Sequence, residues 1–147
     1  MIRQRFLFLV TVRLAQGDQE IEIVYIAVAG ATGALARYYV GGIAQKGLGS
    51  GFPFGTLIIN LTGSFLIGFI MQAGINTDLI PRTARVALTI GFLGAFTTFS
   101  TFGYETLGYL RDGAWLTGIL NVLANVVPGI AAVFLGTALA QRLFGGA

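Results

Sequence analysis

An all-α integral membrane fold with four transmembrane helices is what this sequence predicts. Three observations carry that prediction. The 147 residues are 55% apolar and only 10% charged, and mean hydropathy is +0.81. An ordinary soluble domain carries roughly a quarter charged residues, so this chain cannot clothe a water-facing surface. Four apolar stretches follow one another, each near or above the roughly 20 residues that cross a hydrocarbon core of about 30 Å. The nine Lys and Arg lie singly near the ends of apolar stretches, where membrane proteins place charge.

Residues 1–20 come before the first of these stretches. Phe6 to Val12 is apolar except for Thr11, with Arg3, Arg5 and Arg13 around it. That run is too short to span. It resembles the core of a signal peptide, yet no clear small-x-small cleavage site follows. The expectation is a disordered or interfacial N-terminal extension, outside the membrane domain of 21–142.

The first span covers about 21–42. Ala27, Gly30, Ala31, Gly33 and Ala34 let helix backbones approach closely. Arg37 ends its apolar part, and Tyr38 and Tyr39 follow. Arg37 reads either as an interfacial anchor beside an aromatic belt or as a pore-mouth cation that draws in anions.

A Gly-rich loop from Gln45 to Pro53 leads to the second span, about 54–73. Gly55, Gly63 and Ser64 suit tight packing. Asn60 lies well away from either end. Its amide serves either as interhelical glue, worth about 1 kcal/mol, or as a polar group facing a water pathway.

Asn76 to Thr83 forms the second loop, and the third span covers about 84–110. Its middle reads Gly91-Phe92-Leu93-Gly94-Ala95-Phe96-Thr97-Thr98-Phe99-Ser100-Thr101-Phe102. Gly weakens a helix, and a Thr-Thr pair offers side-chain bonds that compete with the helical ladder. In lipid, a broken helix is tolerated only where its freed backbone groups line a cavity or meet protein. The stretch therefore predicts a break at mid-membrane that presents carbonyls and hydroxyls to something polar. Glu105, four residues beyond Thr101, reads as an interfacial carboxylate with water access.

The fourth span covers about 114–139, with Trp115 at the interface. Thr117, Asn121 and Asn125 recur every four residues and share one helix face. Such a stripe is a lined path or a continuous helix contact. Pro128 is expected to bend this helix, and Arg142 closes it.

Composition excludes several function classes. With no Cys there is no disulfide framework and no thiolate metal site. With no His, the commonest general base and metal ligand is missing. The six carboxylates do not pair at useful spacing within an apolar segment, which argues against an enzyme. The scattered cations do not form a nucleic-acid surface. Outside the extension, Arg82, Arg85 and Arg142 fall on one side of the membrane, and Arg37, Lys46 and Arg111 on the other. That balance gives the positive-inside rule nothing to act on. It points to dual topology and an antiparallel dimer. Counting Arg3, Arg5 and Arg13 favours a cytoplasmic N-terminus instead.

From Ile21 to Arg142 the chain resembles the Fluc (CrcB) family of fluoride channels. The likeness rests on Gly-Ala-Leu-Ala-Arg-Tyr at Gly33 to Tyr38, Gly55-Thr56 with Asn60 and Gly63-Ser64-Phe65, and above all the Gly91 to Phe102 run. The resemblance implies a dual-topology antiparallel homodimer with two pores in the bacterial cell (inner) membrane. It implies a structural, untransported Na+ at the dimer centre, held by the backbone carbonyls of Gly94 and Thr97 from both subunits. It places the fluoride pathway on Asn60, Phe99 and Phe102, with a polar track on Asn125 and Thr98 or Ser100. Asn125 departs from the smaller hydroxyl residue expected there.

Physical chemistry agrees with that reading. Phenyl edges are electropositive and meet an anion without a full charge. Conduction needs several weak sites, which a fixed Lys would defeat. Burying bare fluoride would cost tens of kcal/mol, so amide and hydroxyl donors such as Asn60 and Thr98 must replace part of its water shell. Carbonyl oxygens suit a hard cation. Two other classes compete. A four-span multidrug exporter needs a carboxylate in the first helix, where only Glu22 is available, at its end. A non-conducting scaffold would use the Gly and Asn positions for packing alone.

Overall fold

The computed structural model describes the backbone of residues 2–77 and 80–145, and side-chain surroundings from residue 19 onward. Asp78 and Leu79 of the second loop, and the side chains of Arg3, Arg5 and Arg13, lie outside the described residues. The described chain is all helical: α1 (Ile2–Leu48), α2 (Phe54–Asn76), α3 (Arg82–Val86), a π-helical turn (Ala87–Leu93), α4 (Gly94–Phe96), α5 (Phe99–Arg111) and α6 (Trp115–Phe144). Among the described residues, four segments are long and apolar enough to cross a membrane: Gln19–Leu48, Phe54–Asn76, Arg82–Arg111 and Trp115–Phe144.

Helix α1 differs from the expected extension plus span. Its backbone is helical from Ile2, with no interruption at residue 20. Extending an existing helix adds one bond per residue, whereas starting one is costly. Residues 2–16 carry no Gly or Pro to stop it. At the other end α1 passes the last apolar residues and stops before Gly49, whose φ of 96° is left-handed.

The spans sort into inner and outer. Of the most apolar windows, 28% of α2 and 33% of the third span are buried, against 6% for both α1 and α6. The small core joins Ile59 of α2 to Leu93 and Phe96 of the third span, with Ala36, Leu66, Ile70 and Phe92 around it. Most other large apolar side chains face outward. In lipid such faces cost nothing; contact between helices then depends on close packing and polar bonds.

Glycines set the two tightest contacts. A Cβ on Gly136 of α6 would strike the Phe65 carbonyl, and one on Gly68 of α2 the Val133 carbonyl. The backbones of α2 and α6 therefore lie against each other along their length. Gly33 of α1 similarly meets the Phe92 carbonyl in the π-helical turn. Pro128 sits inside α6, which continues as one helix through it.

Candidate functional site

The third span stops being helical in its middle. Thr97 (φ −81°, ψ 161°) and Thr98 (φ −151°, ψ 115°) are extended between α4 and α5. The π-helical turn precedes them, and such turns recur at functional positions. Thr97 keeps a helical bond from its N–H to Leu93 O (3.0 Å). The N–H of Thr98 does not. In a continuous helix it would bond Gly94 O; here it donates to Asn60 Oδ1 at 2.9 Å. Gly94 thereby loses its helical donor. Asn60 Nδ2 in turn donates to Thr98 O at 3.2 Å. One amide on α2 thus satisfies both backbone groups of a buried residue, as the low-dielectric interior requires. Helix α5 restarts with Thr98 as its cap, Oγ1 accepting from Thr101 N at 3.2 Å. Gly63 makes the approach possible: a Cβ there would collide with Thr97 Cγ2.

The orientation of Asn60 is dictated, because an N–H can only donate. Oδ1 must face Thr98 N, so Nδ2 faces Thr98 O and also donates to Asn125 Oδ1 at 3.0 Å. Asn125 must then point its own Nδ2 at Asn121, reaching both O and Oδ1 at 3.0 Å. Asn121, fully buried, donates to Thr106 Oγ1 (2.9 Å), which donates to Phe102 O (2.8 Å). A single-direction relay runs from Thr98 N–H through three amides to Phe102 C=O. Both amide hydrogens of Asn60, and both of Asn125, are used within it.

A cavity of about 320 Å³ opens beside this relay. Asn60, Gly94, Thr97, Thr98, Phe99, Phe102 and Asn125 all line it. The rings of Phe99 and Phe102 lie 5.5 Å apart at 54°. Phe102 is 8% exposed and Phe99 83%, so one ring is packed and the other stands free. Ser100 and Arg37 are not in its wall. Ser100 Oγ lies 3.3 Å from Thr98 Oγ1, on an exposed flank of the break.

Arg37 lines a second cavity, of about 280 Å³, with Gln45, Thr56, Thr98, Thr101 and Glu105. Thr98 belongs to both walls. Arg37 Nη1 reaches Thr97 O at 3.5 Å, the outer limit of a hydrogen bond. Thr56 Oγ1 donates to Glu105 Oε1 at 2.8 Å. Glu105 Oε2 is buried without a hydrogen-bond partner among the described residues. The sequence reads Glu105 by its depth, and the structure adds its facing, inward toward α2. Its spacing of four from Thr101 was the available signal, since the two share a face and a cavity. Nothing in the sequence marks Gln45. Its side chain donates to Gly49 O (2.6 Å) and Phe52 O (2.9 Å) and accepts from Gly55 N (3.0 Å), pinning the loop that leads into α2.

No group of three or more His, Cys, Asp or Glu could hold a metal among the described residues. A cation here would depend on backbone oxygens. The carbonyl of Gly94, freed of its helical donor, and that of Thr97 are of the right kind. Gly94 is exposed, and two oxygens alone fall short of a hard cation's shell.

A family model described as CrcB-like protein, Camphor Resistance (CrcB), matches residues 24–137. The chain belongs to the CrcB family. A relative from Geobacter metallireducens is 50% identical over 123 residues, covering 84% of this chain and 99% of that one. One from Citrifermentans bemidjiense is 48% identical over 122 residues, covering 83% and 98%. One from Dehalococcoides mccartyi is 48% identical over 122 residues, covering 83% and 94%. All three are named fluoride-specific ion channel FluC. The CrcB match lies within the four spans, which make this a multi-pass membrane protein.

Proposed function

We propose that this CrcB-family chain is a fluoride-selective channel that lets fluoride leave the cytoplasm passively and so lowers its toxicity. The observation that carries the reading is the extended Thr97–Thr98 segment, braced by Asn60 and opening on a cavity with two phenyl rings. The relatives' printed names support the choice of anion. Phenyl edges give weak attraction that an anion can leave again. Hydroxyls at Thr98 and Ser100 stand along the flank of the break. Arg37 and the second cavity form the mouth, where a cation raises the local anion concentration.

The working unit in this reading is an antiparallel homodimer in the bacterial inner membrane. Gly94, Phe99 and Ser100 are exposed in the single chain, where a second copy would meet them. The carbonyls of Gly94 and Thr97 from two copies would hold Na+, which when bound supplies a fixed positive charge beside the anion path. The multidrug-exporter alternative gains no support. Glu22 lies within the continuous helix α1, and neither cavity above includes it.

The test is purified protein in potassium-loaded liposomes with a fluoride electrode. Valinomycin should release fluoride rapidly and leave chloride behind. Vesicles that keep their fluoride would sink the reading.

A further inference from the structure

A hydroxyl that the relay leaves unused stands in the same cavity. Ser64 follows Asn60 by four residues and so lies on the same face of α2. It lines the cavity with Phe99, Phe102 and Asn125. Thr89, Thr97 and Thr106 on neighbouring helices each donate to the carbonyl four residues back. That is the usual fate of a hydroxyl inside an apolar helix. Ser64 does otherwise: among the described residues its hydroxyl makes no hydrogen bond to protein. It points toward α6, where a Cβ on Gly129 would lie 3.9 Å from its Oγ.

The donor inventory gives this weight. An anion entering the cavity needs O–H or N–H groups to replace lost water. Those of Asn60 and Asn125 are already held by Thr98 O, Asn125 Oδ1 and Asn121. The Thr97 hydroxyl is held by Leu93 O, that of Thr89 by Arg85 O and that of Thr98 by Thr101 Oγ1. Using any of these means breaking a bond that braces the fold. Using Ser64 breaks none. We infer that the Ser64 hydroxyl donates directly to the permeating anion, one helical turn beyond Asn60. This rests on the fluoride-channel reading and adds a binding residue to it.

The experiment compares wild type with Ser64→Ala, Ser64→Thr and Ser64→Cys in fluoride-electrode liposome assays, normalised to folded protein. Ala fits any space that Ser fills, so packing is left alone. Loss of one hydrogen bond to an ion predicts a drop of about tenfold or more in fluoride efflux for Ser64→Ala. Ser64→Thr keeps the donor and should stay near wild type. Ser64→Cys, a weak donor, should fall between. Ser64→Ala at the wild-type rate overturns the inference while leaving the channel reading standing. So does a loss of efflux shared equally by the Ala and Thr variants, because a hydroxyl kept at this position then fails to keep the flux. A wild type that releases no fluoride overturns both.

Discussion

The third span and α6 each contain a feature that interrupts helical hydrogen bonding, and they respond in opposite ways. Pro128 removes one N–H from the ladder of α6, yet the helix continues to Phe144. The third span has no proline after Pro81, yet it unwinds at Thr97 and Thr98. The difference lies in what stands opposite. Asn60 offers the extended segment an acceptor and a donor at the spacing of a peptide group, so both peptide groups of buried Thr98 keep partners when the helix unwinds. α6 has no such partner at Pro128, which is exposed, and keeping the remaining helical bonds is the cheapest course. A break in a membrane helix is thus made by the neighbouring helix as much as by the local sequence.

Replacing Asn60 tests this most severely. Asn60→Leu strands the N–H and C=O of buried Thr98, at about 1–3 kcal/mol for each unsatisfied group. Thermal unfolding in detergent should drop accordingly, and fluoride efflux should disappear. If the variant keeps wild-type stability, the break is self-supporting and the comparison fails.

Phe99 separates the purpose of the break from its stability. Phe99 is exposed in the single chain, so Phe99→Ile should cost that chain's own fold no more than about 0.5 kcal/mol, and any larger loss reports on contact with a second copy. The same change should cut efflux about tenfold or more, since an aliphatic rim lacks the electropositive edge. Phe102 is packed, so Phe102→Ile should lose about 1–3 kcal/mol as well as efflux. Equal efflux in Phe99→Ile and wild type would remove the phenyl edge from the path.

Much of the architecture was legible because hydropathy and segment length report directly on spans. The Gly-Thr-Thr-Ser crowding announced that residues 91–102 were unlike a plain span. What residue types cannot give is pairing. Asn60 and Thr98 are 38 residues apart, and Thr56 and Glu105 are 49. Each meeting depends on how deeply α2 sits against the third span, which Gly63 sets by its missing side chain. The Asn121–Asn125 stripe was visible as a stripe, yet its direction was not. That direction follows only once Thr98 N–H and Phe102 C=O are fixed at its two ends. For Glu105 the distance from the helix end was legible and its facing toward α2 was not.

Asn121 sharpens the comparison from the α6 side. Asn121→Leu keeps the branched heavy-atom framework, though in a larger side chain, and removes the link to Thr106 and one acceptor of Asn125. The Asn60 brace itself remains. The expected loss is about 1–3 kcal/mol of stability, with efflux reduced severalfold, and Thr106→Val should add little on top. Additive losses in the double variant would show that the two do not act as one relay.

Pro128→Ala should do least. The substitution returns an N–H to the turn beginning at Ala124, and in a helix interior Ala is the better residue. Pro128 touches neither cavity wall, so efflux should stay within about twofold of wild type and stability should hold or rise by about 1 kcal/mol. The outcome bears on how α6 delivers Asn121 and Asn125. If α6 is a rigid rod pressed to α2 by Gly68 and Gly136, restoring an N–H at residue 128 moves neither amide. If efflux collapses while unfolding is unchanged, the proline sets the angle at which Asn125 meets Asn60, and the two interruptions are parts of one device.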